Sequence, residues 1–234
     1  MRILAIIPAR GGSKRIPNKN IKEFCGRPLI SWTVDFARSV DYIDHIHVST
    51  DCPDVRSVVE SMNLEVPFLR SAATSNDTAT TASAVIETLD RFAELGQYFD
   101  IVALLQPTTP WRRKARWIEA TNLLSSTECD TIVSVAPLRH HPWHALTLGE
   151  SGEIKYFFDE QRRQARSQDT PAAYSLNGSI YISRASVIKS SKSMIGGDCR
   201  AVVCSDQVES IDIDQPEDWA EAETALEHLL KSPI

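Results

Sequence analysis

The chain has 234 residues, with 25 Lys and Arg against 31 Asp and Glu, a formal net charge of -6. That balance lacks the basic footprint of a general nucleic-acid binder, whereas a small anionic substrate needs only a few local cations. With 42% hydrophobic residues the composition is that of an ordinary globular protein, long enough for one substantial α/β core.

Ile3 to Ile7 is a continuous apolar run, the pattern of a strand buried on both faces. The start from Arg2 to Pro8 is followed, not preceded, by Arg10, Lys14 and Arg15, the reverse of a signal peptide. No apolar run approaches the length of a membrane span. The expected location is cytoplasmic, with neither a membrane nor a nucleic acid as partner. Helical periodicity runs from Arg27 to Ser39, a second strand from His45 to Ser49, and a helix from Val55 to Met62. Thr78 to Leu95 reads as a longer helix, Asp100 to Gln106 as a third strand stopped by Pro107, Arg113 to Ser125 as a helix, and Thr131 to Val135 as a strand. From Pro137 to Tyr174 the rhythm breaks into polar, aromatic and charged residues, too long for an ordinary connection. Asn177 to Ser183 resumes as a strand, Ala201 to Cys204 as another, and Gln215 to Leu230 closes the chain as a helix with acidic residues near its start. The five cysteines, Cys25, Cys52, Cys129, Cys199 and Cys204, are odd in number and contain no Cys-x-x-Cys. They read as reduced structural thiols, not as a disulfide framework or a zinc site.

Repeated β-α-β units imply a mostly parallel sheet with helices on both faces. Ligands of such sheets bind beyond the carboxyl ends of the strands, so the loops after Pro8, Thr50, Gln106 and Val135 are the places to search. The loop after Pro8 is the richest. Gly11 and Gly12 permit a tight turn that brings N–H groups towards phosphate oxygens, and Arg10, Lys14, Arg15 and Lys19 add four positive charges. The spacing fits neither a P-loop nor Gly-x-Gly-x-x-Gly; a triphosphate is the anion expected there. Near the other end, Asp212 and Asp214 are two apart with Ile211 and Ile213 alternating, so that extended backbone puts both carboxylates on one face. Such a pair suits magnesium (or manganese); the alternative is that Asp214 caps the helix that follows.

The segment Ile7-Pro-Ala-Arg-Gly-Gly-Ser-Lys-Arg-Ile-Pro-Asn-Lys-Asn20 resembles the signature of the CMP-N-acylneuraminate synthetases (acylneuraminate cytidylyltransferases). Further matches follow in order: Gly26-Arg-Pro-Leu-Ile30, Val48-Ser-Thr-Asp51, Val66-Pro-Phe-Leu-Arg70, Leu104-Leu-Gln-Pro-Thr-Thr-Pro110, Arg166-Ser-Gln-Asp-Thr-Pro171, Asn177-Gly-Ser-Ile-Tyr181 and Ser210-Ile-Asp-Ile-Asp214. The resemblance implies a Rossmann-like nucleotidyltransferase fold in which residues 1-234 form a single cytidylyltransferase domain and 137-174 an inserted dimerisation or lid segment. It implies attack by a sugar's anomeric hydroxyl on the α-phosphorus of CTP, with pyrophosphate leaving. Such catalysis is mainly positioning and charge neutralisation.

Carried over residue by residue, Arg10 meets the triphosphate, Lys19 stabilises the α-phosphate transition state, and Asn20 contacts the nucleotide. Gly11, Gly12, Ser13 and Lys14 complete the cradle. Asp212 and Asp214 match the metal pair, with Asp212 also a candidate to assist deprotonation of the sugar. Arg70 and Thr81 match the cytosine and ribose side; the family often has Ser where Thr81 stands, and the alternative for the threonines is ordinary helix-start polarity. Gln106, with Thr108 and Thr109 at the same mouth, matches a sugar-contacting glutamine. Trp111 departs from the usual Leu. Arg162, Arg163 and Arg166 cluster in the inserted segment, and Arg166 matches an arginine that reaches the neighbouring site of a homodimer, where a guanidinium can bind the sugar's carboxylate bidentately. Its alternative is a solvated turn, and Tyr181 reads equally as core or site. His140, His141 and His144 have no regular ligand spacing and read as a dimer or lid surface.

The resemblance points first to N-acetylneuraminate, with legionaminate, pseudaminate or 3-deoxy-manno-octulosonate as the same chemistry on another acid. Two other classes remain: a glycosyltransferase holding a nucleotide sugar through Asp-x-Asp, and a non-catalytic nucleotide-binding protein.

Overall fold

The computed structural model describes residues 1–164, 166–206 and 208–231, with the side chains of Arg163 and Ser167 outside the description. Six strands form the central sheet: β1 (Ile3–Pro8), β2 (His45–Ser49), β3 (Ile101–Leu104), β4 (Thr131–Pro137), β5 (Tyr174–Arg184) and β6 (Cys199–Val203). Their order across the sheet is β6-β4-β5-β3-β1-β2. β1 pairs in parallel with β2 and β3, and β6 with β4, whereas β5 runs antiparallel to both β3 and β4. The sheet is thus mostly parallel, with one reversed strand at its centre.

The longer helices among the described residues are α1 (Leu29–Ser39), α2 (Pro53–Ser61), α3 (Thr81–Glu94), α4 (Lys114–Ser126), α5 (Ala185–Ser191) and α6 (Pro216–Lys231), with single turns at Ala72–Ser75 and Glu160–Arg163. Alternation along the strands decides which helix covers which face. Ile3, Ala5 and Ile7 of β1 join a core with Ile30 and Val34 of α1, Val59 of α2 and Trp117 of α4. Leu4 and Ile6 point the other way, to Val85, Leu89 and Phe92 of α3 and Ile188 of α5. Burying each such aliphatic side chain stabilises the fold by about 1.5–3 kcal/mol. α6 closes a third cluster, in which Trp219, Ala222 and Leu226 pack on Ile16, Phe24, Leu29 and Ile213.

Several boundaries differ from the sequence expectation for local reasons. α1 begins at Leu29 because Arg27–Pro28 pairs with Glu23–Phe24 across a turn whose Cys25 and Gly26 both have positive φ, 47° and 81°, the backbone of a type I′ hairpin. α3 begins at Thr81 because the Thr80 hydroxyl accepts from the Ser83 N–H at 3.1 Å and so caps the helix. The irregular stretch contains a small hairpin, Leu146–Leu148 against Ile154–Tyr156, and α5 forms where no helix was expected.

On the α3 face, His47 stacks on Phe68 and meets Phe92 edge-on, with ring centroids 4.6 and 5.2 Å away. Burial pushes its pKa down to about 3, assisted by His45 and Arg70. The unfolded chain therefore binds a proton below about pH 6.5 that the folded chain refuses. Stability is full above that pH and falls on acidification towards pH 3, by at most about 1.4 kcal/mol per pH unit from this group. Thermal melts of wild type and His47→Phe between pH 7.5 and 5 should diverge, the wild type losing more. Parallel losses would rule His47 out as the cause.

Candidate active site

The carboxyl ends of β1, β2 and β3 open into a groove of about 530 Å³. The loop after β1 forms one wall. The Gly11 N–H donates to Asp51 Oδ1 at 2.9 Å, and a Cβ on Gly11 would lie 2.8 Å from Cys52 Cβ. Glycine is thus demanded by the approach of this loop to the chain entering α2, and its N–H is turned to Asp51. Gly12 has open space around it. Arg10, Ser13, Lys14, Lys19 and Asn20 line the groove. Buried Asn20 ties the two ends of the loop together, its Nδ2 donating to Arg10 O at 3.1 Å. Lys19 lies in a short 3-10 turn, Lys19–Ile21, with only 12% of its side chain exposed. Its Nζ donates to Ile213 O at 2.7 Å and to Asp214 Oδ1 at 3.2 Å.

The four cations foreseen in this loop each meet a carboxylate. Arg10 and Lys14 pair with Asp77 at 3.4 and 2.6 Å, and Arg15 and Lys19 with Asp214 at 3.7 and 3.2 Å. The hydrogen bond and charge of Lys14, with Arg10 behind it, hold the Asp77 carboxyl below the usual carboxylate range. Asp77 escaped the sequence reading because it lies more than sixty residues from its partners and belongs to no motif. A triphosphate entering the groove, as expected from the sequence, would compete with Asp77 for Arg10 and Lys14. Asp77→Asn should then lower KM for a nucleoside triphosphate, roughly two- to fivefold as expected for exposed ion pairs. A raised KM in steady-state assays would mean instead that Asp77 positions these cations.

From the β2 side, Arg70 Nε donates to Ser49 Oγ at 3.2 Å and Nη2 to Ser49 O at 2.8 Å. Burial lowers its pKa, against the neighbouring charges of Asp51 and Glu87. Arg70 and Thr81 both line the groove.

The β3 end supplies Gln106 and Thr108, also on the groove wall. A residue the sequence reading passed over holds this loop. Arg112 is buried, and its guanidinium donates to Ser179 O at 2.6 Å, Thr33 Oγ1 at 3.0 Å and Gln106 O at 2.5 Å. Burial brings its pKa down to about 9, still charged at neutral pH. Beside it the β4–β5 register shifts between Val133 and Val135. Ser134 Oγ donates to Asn177 Oδ1 at 2.6 Å and accepts from the Ile180 N–H at 2.8 Å, while Asn177 Nδ2 donates to the main chain of fully buried Glu209 at 3.0 Å. At the bulge Gly178 has φ 74°, and a Cβ there would sit 2.7 Å from Gln106 Oε1. The Asn177-Gly178 pair is thus the fitting that admits the Gln106 side chain.

Ile211–Asp214 forms no ladder, yet its alternation holds: Ile213 is fully buried, Asp212 and Asp214 are exposed. Ile213 N–H donates to Thr108 O at 2.8 Å, fastening this strap to the β3 loop. The backbone N–H groups of Asp214 and Gln215 are taken by Asp218 Oδ2 at 2.8 and 2.6 Å, so the Asp214 carboxylate is left for Lys19 and Arg15. Desolvation raises the Asp212 carboxyl above the usual range, against a hydrogen bond from Thr108. Asp214 lines the groove, and Asp212 lines a second cavity of about 390 Å³ beside it. No cluster of three or more metal-ligating side chains occurs among the described residues. Two carboxylates flanking a cationic groove suit a cation whose remaining ligands are phosphate oxygens and water, as magnesium prefers.

Arg166 is exposed and lines neither cavity; Arg162 pairs with Asp159 at 3.7 Å, and the Arg163 side chain lies outside the description. Tyr181 packs against the cluster under α3. His141 Nε2 lies 3.1 Å from Pro171 O, and His140 lines the second cavity.

A mostly parallel sheet with one reversed central strand and a cation-lined groove at its carboxyl edge is the architecture of a nucleotidyltransferase. A CMP:2-keto-3-deoxy-manno-octonic acid synthetase solved with CTP superposes with a TM-score of 0.74 over 98% of this chain and all of that one, at 16% identity. The family model described as cytidylyltransferase matches residues 4–193, and the chain belongs to that family. Among its relatives, the CMP-N,N'-diacetyllegionaminic acid synthase of Legionella pneumophila is 37% identical across 97% of both chains. The pseudaminic acid cytidylyltransferase of Campylobacter jejuni strain 81-176 is 33% identical over 77% of this chain and 78% of that one. No described helix is long and apolar enough to cross a membrane.

Proposed function

We propose that the protein transfers CMP from CTP to the anomeric hydroxyl of a nonulosonic acid and releases pyrophosphate, with a legionaminate-type acid as first candidate. The observation that carries this reading is the convergence of Arg10, Lys14, Arg15 and Lys19 with Gln106, Thr108 and Asp214 on one groove. The acid is ranked by the relative that acts on diacetyllegionaminate, which matches end to end. N-acetylneuraminate, to which the motifs point, and pseudaminate follow.

In this reading Arg10 and Lys14 leave Asp77 for the β- and γ-phosphates. Lys19, held by Ile213 O, faces the α-phosphate and neutralises the charge that builds there. Arg70, Asn20 and Thr81 border the nucleoside, and Gln106 and Thr108 orient the sugar. Asp212 and Asp214 would hold magnesium, which when bound draws the phosphates together and neutralises their charge. The 137-174 segment carries exposed Leu148, Ile154 and Phe157, an apolar surface of the kind that marks association. We assign it to a homodimer in which Arg166 of one copy approaches the sugar side of the other. The enzyme would work in the cytoplasm.

The test is pyrophosphate release from CTP and magnesium with a panel of N,N'-diacetyllegionaminate, pseudaminate, N-acetylneuraminate and 3-deoxy-manno-octulosonate. Turnover with one of the nine-carbon acids supports the reading. CTP binding without release on any acid would return the choice to a glycosyltransferase or a binding protein.

A further inference from the structure

Beside the groove, on the Asp212 side, lies the second cavity. This cavity opens where β4 ends and β5 begins, and Leu138, Arg139, His140, Ser175, Leu176 and Asp212 are on its wall. The Ile211–Asp214 strap joins the two spaces: Asp214 lines the groove and Asp212, two residues before it, lines the second cavity. The reacting centre of the proposed transfer therefore lies at their junction, with the acceptor on the Asp212 side.

The acceptor's chemistry narrows what this wall must provide. In a cyclic 2-keto sugar acid the anomeric carbon bears both the attacking hydroxyl and the carboxylate. The carboxylate thus enters with the nucleophile on the Asp212 side. With Asp212 committed to magnesium, a carboxylate there still needs its own hydrogen-bond donors, which a cation on the same wall can supply. Arg139 is the one Arg or Lys among the described residues that line the cavity. Unlike Arg10, Lys14, Arg15 and Lys19, it forms no ion pair with any described residue. Its root is fixed, because the neighbouring Leu138 N–H donates to Ala173 O at 2.9 Å, one residue beyond the last rung of β4 on β5, Pro137 to Tyr174.

We propose that Arg139 binds the carboxylate of the sugar acid from within the same chain, as a specificity residue separate from Arg166 of a second copy. This rests on the transfer reading above. A guanidinium presents two parallel donors to a carboxylate, and the exposed apolar faces of Leu138 and Leu176 leave the adjoining wall suited to acyl methyl groups.

The experiment uses the full chain with CTP, magnesium, the acid that the wild type turns over best, and the C1 carboxamide of that acid. In Arg139→Ala, KM for the acid should rise about 10- to 100-fold, as expected for loss of a charged hydrogen-bonding partner, with KM for CTP and the melting temperature held near wild type. The wild type's preference for acid over carboxamide should collapse in Arg139→Ala and return in part in Arg139→Lys, which restores the charge without the fork. An unchanged acid KM in Arg139→Ala, or a preference lost in Arg166→Ala and kept in Arg139→Ala, would overturn the inference alone. A wild type that turns over no acid would overturn the transfer reading and this inference with it.

Discussion

Lys19→Ala lowers kcat about 10²- to 10³-fold, the loss typical when one preorganised donor to a developing charge is removed. The expectation follows from how the side chain is held. Lys19 Nζ is fixed by Ile213 O and Asp214 Oδ1, and the side chain is 12% exposed, so its charge needs little reorganisation when the α-phosphorus is attacked. In the proposed transfer, binding of CTP draws more on Arg10 and Lys14, so KM for CTP should change far less than kcat. Steady-state kinetics separate the two quantities. Equal losses in affinity and none in kcat would make Lys19 a ground-state contact. Because Lys19 also anchors the strap that carries Asp212 and Asp214, the Lys19→Ala protein should first be shown to keep its melting temperature.

Arg112→Met has the largest expected effect on stability. It leaves Ser179 O, Gln106 O and the Thr33 hydroxyl without their donor in a buried site. Each unmet buried group costs about 1–3 kcal/mol, partly offset because a buried charge is no longer desolvated. A net loss of about 3 kcal/mol corresponds to a fall of roughly 10 °C in melting temperature for a chain of this size. Activity should suffer beyond that loss, since Gln106 and the Gly178 bulge are both fastened through this guanidinium. Below the melting transition, KM for the sugar acid should rise while KM for CTP stays near wild type. A melting temperature equal to wild type would show that the loop is held without Arg112.

Much of the scaffold was legible in the chain itself. β1 and β3 are apolar runs, and the loops expected after Pro8 and Gln106 line the groove, whereas the one after Val135 borders the second cavity. The residues foreseen from the motif after β1 lie together because that motif is local. Reversal of β5 was not legible: an apolar run carries no sign of direction, and only its neighbours β3 and β4 define it. Arg112 and Asp77 were passed over for a similar reason, as their partners are remote in sequence. Arg112 reads as a surface cation until Ser179, 67 residues on, is brought over it. The role of Gly11 is likewise tertiary, set by the proximity of Cys52. In Asp212-Ile-Asp214 the burial alternation was legible without a strand, because Ile213 is buried between two exposed carboxylates, but their division between two cavities was not.

Transfer of CMP consumes CTP by forming one phosphodiester for each pyrophosphate released. The measurement that tests it most directly is phosphorus NMR of CTP, magnesium and N,N'-diacetyllegionaminate with the wild-type protein, and with Lys19→Ala alongside. The expected result is a new CMP-diester resonance growing in step with pyrophosphate, and nearly absent with Lys19→Ala. Appearance of CMP and pyrophosphate with no diester, or an unchanged CTP spectrum for this acid and the rest of the panel, would contradict it.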